Sequence, residues 1–118
     1  MKRISVLIGV LGLLLAAPAG AQPYPSKPIR IVAPFPPGGV ADVLARAIQP
    51  GLQEALGQQV IIDNKPGAGG NIGAEIVAKA DPDGYTLLLA SAGILTINEF
   101  LYSKMPFDPA KALSLIHI

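Results

Sequence analysis

The chain has 118 residues, enough for one small domain or part of a larger one. It carries 13 Gly and 12 Pro in discrete clusters between periodic segments, a loop-rich globular pattern; it lacks Cys, which excludes disulfides and thiolate metal sites, and has a single His, which argues against a His-based metal cluster. The formal charge is +1, and setting aside residues 1–21 leaves seven basic residues against eight acidic ones, so the basic stripe of a nucleic-acid surface is excluded.

The chain opens like a secretory signal. Lys2 and Arg3 form a basic start, "ISVLIGVLGLLLAA" an apolar run, and Ala19–Ala21 offer the small residues a signal peptidase needs, so cleavage is expected after Ala21. The apolar run falls short of the roughly 20 residues of a membrane span. Residues 22–118 are then the mature, exported chain, and no cysteine is available for a lipid anchor.

"YPSKP" reads as an extended leader, because each proline keeps its predecessor out of helix. "IRIVA" is short and β-branched, a buried strand. Beyond a joint of prolines and glycines, apolar residues at Val40, Val43, Leu44, Ala47, Ile48, Leu52 and Leu56 predict a helix with that stripe on the core. Asp42 lies in its first turn, Gly57 suits its C-terminus, and Pro50 predicts a kink or break. "QVIID" is a second strand and "NKPGAGG" a loop. "NIGAEIVAKA" is a second helix, capped by Asn71 or a preceding glycine. "DPDG" is a turn, "YTLLLA" a third strand, "SAGILTINEFLY" a loop with a short helix, and "SKMPFDPAKAL" a proline-broken segment.

The β-α-β-α-β-α order predicts an α/β fold with a parallel sheet and right-handed crossovers. With the first and third strands adjacent, a switch point forms at the strand C-termini, where ligands bind in open α/β sheets. Three loops would meet there: 35–42, 66–72 and 91–93. All three are nearly free of bulky side chains, so their functional groups are backbone N–H donors at helix N-termini, suited to a carboxylate or phosphate. Prolines 36 and 37 would stiffen the entry.

Other chemistries fit less well. "GAGGNIG" fails the dinucleotide spacing, because the third required glycine falls on Ile72, and no G-K-[ST] follows any Gly-rich stretch. Ser91, Asp42 and His117 are nominally a triad, but no G-x-S-x-G surrounds Ser91 and His117 sits in a terminal apolar stretch. A small α/β hydrolase or transferase using Ser91 and Asp42 stays the alternative. Asp63 and Lys65 read as a surface ion pair, and Phe35, Tyr85, Phe100 and Tyr102 as packing residues, with Phe35 placed to wall a ligand site.

Three stretches, "YPSKPIRIVAPFPPGGVADVLAR", "NKPGAGGNIGAEIVAKADPDGYTLLLAS" and "YSKMPFDPAK", together resemble the tripartite tricarboxylate transporter receptors, the TctC or Bug-type periplasmic solute-binding proteins, over roughly residues 22–111. The resemblance implies a type II periplasmic-binding-protein (Venus-flytrap) fold of two α/β lobes. It implies a non-enzymatic receptor that binds a small organic anion, without metal or cofactor, and hands it to membrane transporter subunits. Carried over, the ligand-binding residues are Phe35, Pro37, Gly38, Gly39, Val40, Ala41 and Asp42 in the first loop. They are Ala68, Gly69, Gly70 and Asn71 in the second, and Ser91 and Ala92 in the third. Two departures stand out. Ala41 replaces a threonine common in the family, removing a hydroxyl, and "AKALSLIHI" ends where family chains run on. The chain is therefore expected to hold a truncated lobe one without the second lobe, and to bind weakly.

Overall fold

The computed structural model describes residues 23–113. The expected leader with its cleavage point after Ala21, and His117, lie outside the described residues. Three strands, β1 (Ile29–Ala33), β2 (Val60–Asn64) and β3 (Thr86–Leu88), form one sheet in the order β2-β1-β3. Both pairings are parallel, with Ile31 opposite Ile62 on one side and Leu87 on the other. The α/β reading and the adjacency of the first and third strands hold.

β1 is central because it is the most apolar segment. Ile29, Ile31, Val32 and Ala33 are all buried, each larger side chain contributing about 1.5–3 kcal/mol of burial. From β1 the chain crosses to β2 through helix α1 (Val40–Leu56), then back past β1 to β3 through α2 (Asn71–Ala78). The two crossovers run in opposite directions from β1, so right-handed connections would put the helices on opposite faces. α1 packs on β2 and β1, and α2 on β3 and β1.

α1 departs from expectation in two ways. It runs unbroken through Pro50. On either side of the proline, Gln49 Nε2 donates to the Val60 carbonyl at 2.7 Å and Gln53 Oε1 accepts the Val60 N–H at 3.1 Å, pinning the helix to the start of β2. The same bonds set its rotation. The inward stripe is Asp42, Ala45, Gln49 and Gln53, with the small Ala45 fully buried against the sheet. The first half of the expected apolar stripe is turned outward, leaving Val40 78% and Leu44 53% exposed, with Val43 and Ile48 beside them, while Leu52 and Leu56 are half-buried. Gly57 ends the helix at φ 63°, its N–H bonded to the Gln53 carbonyl at 3.0 Å.

After β3 come three short helices, α3 (Ala92–Thr96), α4 (Asn98–Leu101) and α5 (Pro109–Ala112). Asp108 caps α5 by accepting the Ala110 N–H at 3.0 Å. The leader is clasped at the N-terminal edge of the sheet. Tyr24 Oη donates to the Gly84 carbonyl at 2.7 Å, and Lys27 pairs with Asp83 at 2.9 Å while standing 4.3 Å over the Tyr85 ring. Tyr85 thus packs as expected, whereas Phe100, on the outer side of α4, is exposed.

Candidate functional site

The first loop leaves β1 at the buried Pro34 and makes a tight turn, the Gly39 N–H donating to the Pro36 carbonyl at 3.2 Å. Two side chains brace it. Asp42, only 4% exposed, accepts the Gly38 N–H at 2.9 Å and the Arg46 Nε at 3.1 Å on both oxygens. Asn64, at the end of β2 and opposite Ala33, donates from Nδ2 to the Phe35 carbonyl at 3.2 Å. The Arg46 contact first, then the Gly38 N–H, holds the Asp42 carboxyl down at about 2 from an ordinary 3.8. A carboxylate so occupied is a brace for the loop.

The brace frees the helix terminus. No side chain caps α1, so the N–H groups of Val40, Ala41 and Asp42 have no partner among the described residues. They carry the partial positive charge of a 17-residue helix, about half an elementary charge.

The third loop continues from β3, where the Leu89 N–H still bonds to the Val32 carbonyl at 3.0 Å. Ser91 is the residue before α3, exposed, with its hydroxyl unused as a cap. It faces the first loop across a pocket of about 550 Å³. Phe35, Gly39, Val40 and Ala41 from the first loop, Leu44 from α1, and Ser91 from the third line it. Pro36, Leu89 and Ala90 complete the lining.

The second loop leads elsewhere. It makes a 3-10 turn (Ala68–Gly70) stacked on Pro34, and is not part of the pocket lining. Gly70, at φ 94°, leads into α2; a Cβ there would lie 2.5 Å from Ile94 Cδ1. Asn71 is buried, accepting from Asn98 Nδ2 at 2.7 Å and donating to Met105 Sδ at 3.4 Å. Asn98 Nδ2 also donates to the Gly69 carbonyl at 3.2 Å. Of the expected residues, Phe35, Gly39, Val40, Ala41 and Ser91 therefore share one pocket. Gly38 and Asp42 brace it, Pro37 is exposed beside it, Ala92 follows Ser91 at the start of α3, and Ala68–Asn71 form a separate turn tied to α4.

A larger cavity, about 680 Å³, runs along the unpaired outer edge of β3 between α2 and α5, with Val77, Thr86 and Lys111 in its lining. It gathers no free helix-terminal amides of a long helix, so the smaller pocket is the candidate site. Sequence reasoning missed Leu44, Leu89 and Asn64. Leu44 was legible as a member of the α1 stripe, and Asn64 as a polar residue closing an apolar strand opposite the site.

Comparison with known proteins identifies a family and supports the α/β fold. Residues 44–118 match the model of the tripartite tricarboxylate transporter family receptor. Protein BugT of Bordetella pertussis is 45% identical over 116 residues, covering 96% of this chain and 35% of the relative. A solved R. palustris protein with adipate is 43% identical at TM-score 0.71, over 75% of this chain and 29% of its own. MatC from Rhodopseudomonas palustris, with bound malate, is 37% identical at TM-score 0.72, over 75% of this chain and 30% of its own. The chain spans about a third of the length of the curated relatives it matches. These likenesses are to solute-binding receptors, which does not favour the hydrolase or transferase alternative.

Proposed function

As the chain belongs to the tripartite tricarboxylate transporter receptor family, we propose that it is a receptor lobe that captures a small carboxylate at the α1 N-terminus. The observation that carries this is the set of three uncapped amides, Val40, Ala41 and Asp42, opening on a pocket shared with Ser91. The adipate and malate held by its structural neighbours are both carboxylates and support the same ligand class. Phe35, Gly39, Ala41 and Ser91 would contact the ligand, Ala92 would add an amide from the third loop, and Gly38 and Asp42 would hold the first loop in shape. The turn Ala68–Asn71 would act through the loop packing on Pro34 rather than through the pocket. Export to the periplasm follows from the signal-like leader, and delivery to membrane transporter subunits from the family.

Binding draws on polarised main-chain groups, so it requires a charged oxygen. Val40 and Leu44 are exposed, and the described pocket covers one side of a ligand, so affinity is modest. Titration of the chain with succinate, followed by amide NMR shifts, should move Val40 and Ala41, while uncharged succinamide should leave them in place. Equal response to both compounds would remove the anion from the account.

A further inference from the structure

The pocket has two chemically different parts. At one end stand the free amides of Val40, Ala41 and Asp42. The walls beside them are hydrocarbon: Phe35, Val40 and Leu44 on one side, Leu89 and Ala90 on the other. Ser91 supplies the one polar side chain of the lining. Among the described residues, no cationic side chain lines it. Arg46 is bound to Asp42, and Lys65 pairs with Asp63 at 3.3 Å.

Each part favours a different piece of a ligand. The amides match one carboxylate. The walls expose apolar surface at Val40 and Leu44, concentrated in a concave site. A hydrocarbon body lying there removes that surface from water. On the side turned to these walls, a hydroxylated body would set its hydroxyls against groups that cannot bond them. Ala41 adds a methyl group to this lining.

We propose that this site selects carboxylates with an apolar, unhydroxylated body, and that Phe35, Val40, Leu44 and Leu89 determine the selectivity. The inference rests on the carboxylate-capture reading and adds the ligand class to it.

The test is a titration of the full chain with acetate, butyrate, hexanoate and gluconate, read by amide and methyl NMR shifts. Affinity should rise about twofold with each methylene added from acetate to hexanoate, since the pocket covers one side of the chain. Gluconate, with the same six carbons as hexanoate, should bind more than about tenfold more weakly than hexanoate. Val40→Thr and Leu44→Asn, near-isosteric changes at exposed positions, should lower hexanoate affinity more than acetate affinity. Gluconate binding as tightly as hexanoate, with Val40 and Ala41 amides shifting, would overturn the selectivity and leave carboxylate capture standing. Absence of shifts at those amides with every acid would overturn both.

Discussion

The carboxylate of Asp42 accepts the N–H of Gly38 at 2.9 Å, from four residues further along the chain and from inside the first turn of α1. An acid at that position ordinarily compensates its own helix terminus. Here it reaches back to fix the preceding turn, and Arg46 one turn on holds it in place. The helix amides beyond the loop are left for something else.

The brace has a pH signature. Arg46 and then Gly38 lower the Asp42 carboxyl to about 2 from 3.8. A depressed acid contributes stability that is fully present above its unfolded value and is lost as pH falls through the folded one. Asp42→Asn keeps the shape without the charge. The wild type should melt higher than this variant by a constant margin above pH 4, and the margin should close on approach to pH 2. Thermal melts across pH 1.5–7 measure it. A margin independent of pH would mean that the charge does not hold the loop.

The buried amide pair is a second test. Asn98 bonds both Asn71 and the Gly69 carbonyl. Asn98→Ala strands two acceptors under α4 and should cost about 1–3 kcal/mol in urea denaturation. The variant should also loosen the 3-10 turn, seen as faster amide exchange at Gly70, while exchange in β1 tracks global stability alone.

Gly70 offers a steric test. An alanine there would meet Ile94 Cδ1 at 2.5 Å and Cγ1 at 2.9 Å, on a backbone at φ 94°. Gly70→Ala should destabilise by about 1–3 kcal/mol. Adding Ile94→Val, which withdraws the clashing methyl, should recover part of the loss, so the double variant should be more stable than the sum of the single effects predicts.

Ala41 offers a gain-of-function test. It lines the pocket at the second residue of α1. Ala41→Thr places a hydroxyl donor beside the free amides, and one charge-assisted hydrogen bond is worth about 1.5–3 kcal/mol. Succinate affinity should rise by roughly tenfold or more in calorimetric titration. Unchanged affinity would place the carboxylate away from the α1 terminus.

Much of this was readable in the residues. The β-branched run Ile29–Ala33 and the Gly/Pro joint after it place a strand and a strand-to-helix turn where the structure has them. The rotation of α1 was not readable. Its sequence carries two stripes of helical period, and the apolar one is the more conspicuous. The glutamines at 49 and 53 turn inward because Val60 at the start of β2 offers a carbonyl and an N–H, a match that exists only once the strand is in place. The contacts of the second loop were hidden for a similar reason. Its composition resembles the first, but Asn98 and Tyr102, about thirty residues away in sequence, decide what lies against it. Composition identified the donors, and long-range packing selected which remain free.

The most direct measurement is a crystal structure of the chain with hexanoate. The account predicts one carboxylate oxygen within about 3 Å of the Val40 or Ala41 nitrogen, with the hydrocarbon against Leu44 and Leu89. A carboxylate held along the outer edge of β3, or one that leaves those amides bonded to protein, would contradict it.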